Sequence, residues 1–310
     1  MIRKTTAILS AITLMLILLS SCATYLGDPP APAEEAGISP LMWRVTAPNG
    51  QNMYLFGSIH IADDTIYPLP DYVMDAFWRA DYLAVEVDID LLFDPVFMSD
   101  LMIMQMYQDG RTIVDDIGPE LHAAATAVFA DHGFPPGTFD IFKPYAWWQT
   151  LQSLAMLETG LTVEYGVDYY FIRMARAAGM EVLALETPES QLNALMGMSM
   201  PIHIVNIEQS LDMQAVTESL LYVYDLWQIG DYDALEFYLR NNYYSMPDGL
   251  WDEFIRALLI DRDILITPQL REMMAAEMNV FVVVGLAHFV GENSIVYLLR
   301  QEGYEVVIVR

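Results

Sequence analysis

Short apolar runs recur along the chain, and between them apolar positions return every three or four residues. Trp43-Arg44-Val45-Thr46 and Met53-Tyr54-Leu55-Phe56 flank Pro48-Asn49-Gly50-Gln51. Asn-Gly between two β-prone runs predicts a hairpin, because both turn residues tolerate positive φ. Leu83-Ala84-Val85, Val182-Leu183-Ala184-Leu185, Val280-Phe281-Val282-Val283-Val284 and Glu305-Val306-Val307-Ile308-Val309 have the length and branching of buried strands. Runs that are apolar on both faces predict a sheet covered on both sides. Helical periodicity falls between them, at roughly 69–80, 166–178, 188–198 and 293–302. The expected class is α/β, with a central, mostly parallel or mixed sheet covered by helices. Two further stretches, about 92–178 and 201–276, are helix-rich, with Met and aromatic residues at helical spacing such as Leu101, Met104 and Tyr107. They read as core-facing helices that cap the sheet or are inserted into it. Residues 41–310 then form the globular part.

The start of the chain follows a different pattern. Arg3 and Lys4 precede an apolar stretch from Ala7 to Leu19, which leads into Leu19-Ser20-Ser21-Cys22. This is the plan of a signal peptide, too short for a comfortable membrane span. The small residues before the cysteine match a lipobox, so residues 1–21 are expected to be removed and Cys22 lipidated. The alternative is an ordinary secretory signal cut near Ser21 or Ala23. Residues 22–40, with Pro29-Pro30-Ala31-Pro32-Ala33, read as a flexible tether. The expected setting is extracytoplasmic and membrane-anchored through the lipid. Because Ala23, not aspartate, follows the cysteine, the outer membrane or cell surface is favoured.

Composition narrows the function. With 55% hydrophobic and 18% charged residues the chain is not a disordered one. Fourteen Lys and Arg against 42 Asp and Glu leave a net charge of −28, with no basic patch, so nucleic acid is not an expected partner. The single cysteine excludes an intrachain disulfide and a cysteine-rich metal site.

Two turns carry the candidate chemistry. Phe56-Gly57-Ser58-Ile59-His60 and Val284-Gly285-Leu286-Ala287-His288 share one form, an apolar strand followed by Gly, two residues and His. Each places an imidazole beyond the carboxyl end of a strand, the edge where open α/β sheets bind ligands. Two other strands end in Glu86 and Glu186. Parallel strands would deliver His60, Glu86 and His288 to one cleft as donors for a divalent metal, with Glu186 as a proton acceptor. Taken singly, each of these residues also fits an ordinary hydrogen-bonding role at a strand end. His122, His132 and His203 are expected to be surface or structural residues, and Asp63 and Asp64 to solvate the turn after His60. No His-Glu-x-x-His pair and no nucleophile elbow occur.

Several ordered motifs together resemble the TraB/GumN family, to which the Tiki proteins belong, over roughly residues 42–310. They are Tyr54-Leu55-Phe56-Gly57-Ser58-Ile59-His60 with Tyr67-Pro68-Leu69-Pro70, Leu83-Ala84-Val85-Glu86-Val87-Asp88, Lys143-Pro144-Tyr145, Gly166-Val167-Asp168, Leu185-Glu186-Thr187 and Val283-Val284-Gly285-Leu286-Ala287-His288-Phe289-Val290-Gly291. The resemblance implies a fold related to erythromycin-esterase and ChaN-like proteins. It also implies a metal centre at His60, Glu86 and His288, and metal-dependent proteolysis with manganese or cobalt; zinc is a third candidate. Arg262 looks like the arginine of the family's Arg-Asn pair, a group that could steady a carboxylate or an oxyanion, and Asp263 stands where the asparagine would be, a structural partner for Arg262. The expected function is a lipid-anchored, metal-dependent hydrolase acting on a peptide or protein substrate. The alternative is a non-catalytic lipoprotein that sequesters a peptide, metal or haem in the same cleft.

Overall fold

The computed structural model describes residues 37–89, 94–240 and 246–310. The expected signal peptide, Cys22 and the tether as far as residue 36 lie outside them. In the described part, strands Met42–Thr46 (β1) and Asn52–Ser58 (β2) pair antiparallel, with Thr46 opposite Asn52. Of the two turn residues only Gly50 takes a positive φ, 88°. The Gly50 N–H donates to the Ala47 carbonyl at 2.8 Å, and the Ala47 N–H donates to Gln51 at 2.8 Å. One left-handed residue closes this longer loop, where a two-residue turn would have needed both.

Tyr82–Val85 (β3), Glu181–Ala184 (β4), Val280–Gly285 (β5) and Glu305–Val309 (β6) complete a six-stranded mixed sheet in the order β4-β3-β5-β2-β1-β6. β4, β3, β5 and β2 run parallel, and β1 is antiparallel to both β2 and β6. The all-apolar run 280–284 becomes the central strand β5, buried at every position because helices cover both faces. The runs at 182–185 and 305–309 differ from expectation. β4 and β6 are the edges of the sheet and are half-exposed along most of their length. Apolar composition sets the strand, but the number of neighbours sets its burial.

Asp71–Trp78 (α1) connects β2 to β3. Pro95–Met104 (α2), Ile113–Asp131 (α3), Pro144–Thr159 (α4) and Val167–Ala178 (α5) fill the crossover from β3 to β4. Pro188–Met196 (α6), Met200–Gln209 (α7), Met213–Ile229 (α8), Tyr232–Arg240 (α9), Asp248–Ile255 (α10) and Asp261–Ala275 (α11) lie between β4 and β5, with a π-helical segment Arg256–Ile260 joining the last two. Ile295–Gln301 (α12) leads into β6. The molecule is thus an α/β fold with a heavy helical layer, and no described helix is long and apolar enough to cross a membrane.

Local sequence explains several of these ends. Asp94 caps α2 by accepting from the N–H groups of Val96 and Phe97, with Pro95 in the first turn. α3 is broken at Gly118, which has a φ of 78° and precedes Pro119. α4 is buried continuously from Pro144 to Met156, as an apolar helix walled in by α3, α7 and α8 must be. Of the stripe read as core, Leu101 is fully buried, and Met104 and Tyr107 are partly buried against it.

α5 lies across β3, β4 and β5, and α12 packs on β6. Phe56 of β2, Phe77 of α1, Phe171 of α5 and Phe281 of β5 form one aromatic cluster with ring centroids 5.0–6.2 Å apart. Burying such rings contributes on the order of 2–3 kcal/mol each. This cluster locks α5 onto the parallel strands, and α5 begins at the carboxyl edge of the sheet.

Candidate functional site

That edge gathers the ends of all four parallel strands. Hydrogen bonding between β3 and β4 continues one step beyond the strands, since the Glu186 N–H donates to the Glu86 carbonyl at 2.9 Å. The two glutamates therefore stand side by side. On the other side Ser58 is in register with Gly285, so the two Gly-x-x-His turns leave the sheet as neighbours. A Cβ at Gly57 would stand 2.5 Å from Leu286 Cδ1, so the first glycine makes room for the second turn.

Gly285 has a different task. A Cβ there would stand 3.1 Å from His60 Nε2, 3.3 Å from Glu86 Oε2 and 3.6 Å from His288 Cδ2. The two imidazoles and the carboxylate thus surround one small space that a side chain would fill. His288 Nε2 lies 3.7 Å from Glu86 Oε1, and Glu86 and His288 are each about 3% exposed.

The His60 turn is built by a tripeptide at the start of α5. The Val167 N–H donates to the Ile59 carbonyl at 2.9 Å, and Gly166 packs so close to the His60 carbonyl that no Cβ would fit. Asp168, buried in the first turn of α5, lies 2.7 Å from His60 Nδ1 through Oδ2 and accepts from the Ser58 hydroxyl at 2.7 Å through Oδ1. Burial works against a charged His60, but Asp168, with a smaller contribution from Glu86, outweighs it and raises the imidazole pKa above its ordinary value.

Arg262 and Asp263 enter from the start of α11, where both are buried. The Arg262 guanidinium donates to Glu186 at 2.6–3.1 Å, to the Leu258 carbonyl at 2.8 Å, and to Glu86 Oε1. Burial alone would raise the Glu86 pKa, yet the positive field of Arg262, with help from both histidines and the Gly285 N–H, lowers it to about 2. The same carboxylates overcome burial to raise the Arg262 pKa. Gln191 of α6 closes the group, donating to Glu86 at 2.7 Å and to Glu186 at 3.1 Å.

Asp263 departs from its expected role. It lies 2.5 Å from His288 Nδ1, and its hydrogen-bond partner is that imidazole and not Arg262. Adjacent helical residues point in different directions, so Arg262 reaches the strand-end glutamates and Asp263 the second turn. Complete burial raises the Asp263 pKa, with His288, Arg240 and Arg262 pulling it back. Glu186, read as a proton acceptor, has both oxygens engaged by Arg262 and serves here as its anchor.

The structure therefore brings His60, Glu86, His288, Glu186 and Arg262 together. The other residues singled out lie elsewhere: His122 on Asp140 at 2.9 Å, His132 on its own helix, and His203 buried near Met196. Asp63 accepts from the Thr65 N–H and from Tyr224. Reading the sequence missed Ser58, Asp168 and Gln191 as members of the site. Ser58 and Asp168 left a signal, inside Phe56-Gly57-Ser58-Ile59-His60 and in Gly166-Val167-Asp168 at a helix start; Gln191 left none. Lys143-Pro144-Tyr145 has a supporting part, with Lys143 Nζ tying the start of α4 to the Met104 carbonyl at 2.8 Å.

The model of the TraB/PrgY/gumN family matches residues 41–308. The chain belongs to this family. It is 23% identical to the protein YbaP of Escherichia coli over 256 residues, covering 83% of this chain and 90% of YbaP. It is 22% identical to the metalloprotease TIKI2 of Danio rerio over 333 residues, and 22% identical to the metalloprotease TIKI1 of Homo sapiens over 328 residues. Those alignments cover 89% and 88% of this chain but 62% of each Tiki protein, so the chain spans less than two thirds of their length. No solved structure gives a significant match.

Kinship with metalloproteases raises the question of whether these residues suit a metal. Among the described residues no three His, Cys, Asp or Glu side chains stand in the closed arrangement that holds an ion. The chemistry of the donors nevertheless suits a divalent cation. One imidazole nitrogen, a carboxylate held ionised and the ring edge of the second imidazole border the space before Gly285, and a side chain there would displace anything between them.

Proposed function

We propose that this protein is a metal-dependent hydrolase acting on peptide or protein substrates, anchored outside the cytoplasm by a lipid on Cys22. The observation that supports it most is the shared space before Gly285, bordered by His60 Nε2, Glu86 Oε2 and His288. These three residues would hold the cation. When bound, it would polarise the scissile carbonyl and activate water. Glu86 is kept ionised by its surroundings, ready to accept a cation. Arg262 pairs with Glu86 and Glu186, and Gln191 bridges the two carboxylates, so that Glu86 is held in place beside that space. Kinship with the Tiki metalloproteases favours proteolysis and a manganese, cobalt or zinc cofactor.

The test is the metal content of the purified protein, followed by digestion of a peptide library with and without chelator. Bound metal together with chelator-sensitive cleavage is the expected result. His60→Ala and His288→Ala should lose metal by orders of magnitude while remaining folded, and His122→Ala should not. A folded wild type that takes up none of the three metals overturns the reading. Tight metal with no cleavage replaces it with the sequestering alternative. Anchoring is tested by Cys22→Ser, which should move the protein from the membrane to the soluble fraction.

A further inference from the structure

We propose that Asp168 and Asp263 are a matched pair of positioning residues that hold His60 and His288 in the tautomer protonated at Nδ1, so that both Nε2 lone pairs are free on the side away from the aspartates. The inference deepens the reading of this site as a cation centre and rests on contacts that exist without the cation.

An ionised carboxylate only accepts hydrogen bonds. With Asp168 Oδ2 2.7 Å from His60 Nδ1 and Asp263 Oδ1 2.5 Å from His288 Nδ1, each aspartate in its ionised form holds the ring proton of its neutral imidazole on Nδ1. The opposite tautomer would bring two lone pairs together in a buried place, at the full cost of an unsatisfied pair. Asp168 is held in turn by the Ser58 hydroxyl and by its place in the first turn of α5, where the helix dipole favours a carboxylate. Asp263 has no solvent exposure, lies within the field of Arg240, and among the described residues its Oδ2 has no hydrogen-bond partner, so Oδ1 on His288 is its one anchor. Arg240 in turn clamps the His288 turn, donating to the Val290 carbonyl at 2.6 Å and the Ala287 carbonyl at 3.0 Å.

Both turns therefore present Nε2, the atom that borders the space before Gly285 in His60 and faces Glu86 in His288. His122 is arranged in the opposite sense, with Nε2 directed at Asp140, and so supplies an internal control. In metal sites an outer carboxylate of this kind fixes the ring and raises its basicity, and its loss costs about 10–100-fold in metal affinity.

The experiment is an imidazole nitrogen–proton correlation spectrum of the full chain, free of metal, at a pH where the rings are neutral. Wild type should show Nδ1–H at His60 and His288 and Nε2–H at His122. Asp168→Ala should release only His60 from its tautomer, and Asp263→Ala only His288. If an alanine variant fails to fold, the wild-type spectrum decides: Nε2–H at either site histidine overturns the proposal. Tautomers unchanged in folded variants overturn it as well. Titration with Mn²⁺ separates this inference from the reading it rests on. Weaker binding by about 10–100-fold in the variants supports both. Wild type that binds no Mn²⁺, Co²⁺ or Zn²⁺ yet shows the expected tautomers removes the metal and leaves the positioning pair in place.

Discussion

His60 and His288 each follow a buried strand by a glycine and two residues, yet their turns are held by different forces. Around His60 Asp168 holds the ring, but the supports of the turn itself are contacts on the main chain: Val167 N–H on the Ile59 carbonyl, Ala62 and Thr162 exchanging bonds at 2.8 and 3.1 Å, and the Trp227 indole on the Gly57 carbonyl at 2.8 Å. Around His288 they are charged side chains, with Arg240 on two carbonyls, Asp263 on the ring and Glu86 accepting from the Gly285 N–H at 3.2 Å. A short motif thus places an imidazole but does not choose its support. Both rings rest on a carboxylate, but the backbone of the first turn depends on steric fit and that of the second on charged side chains, in a site where Glu86, Glu186 and Asp263 cluster around Arg262 and Arg240.

Arg262→Met should break the charged side most severely. Removing one member of a buried ion pair leaves Glu86 and Glu186 uncompensated, and the expected loss is about 3–5 kcal/mol in denaturant unfolding. A loss below about 1 kcal/mol would mean that the pair is dispensable to the fold. On the main-chain side Gly166→Ala should cost about 3 kcal/mol, because its Cβ meets the backbone carbonyl of His60, which has little freedom to move. Gly57→Ala sharpens the contrast, since its Cβ meets chiefly the flexible end of Leu286, and about 1–2 kcal/mol is expected. Equal costs for the two glycine variants would show that backbone rigidity does not distinguish the contacts.

The strand runs, the hairpin and the four short helices at 71–78, 167–178, 188–196 and 295–301 were legible because each is a local pattern repeated over a whole element. The pairing of Gly-x-x-His turns was legible for a similar reason: a strand that ends in glycine and then histidine states where its imidazole will stand, whichever strand lies beside it. The half-exposure of β4 and β6 was not, because a run of apolar residues does not encode how many strands will flank it.

Chain crossings decided the rest. Asp168 reaches His60 across 108 residues, Asp263 reaches His288 from a helix that also sends Arg262 to Glu86 176 residues away, and Gln191 bridges Glu86 and Glu186. A carboxylate's local sequence states its charge and often its helix position. Its partner is set only when separate elements pack against one edge of the sheet, where burial makes an unpaired charge so costly that each group is forced onto whichever opposite charge or ring nitrogen the fold has brought within reach.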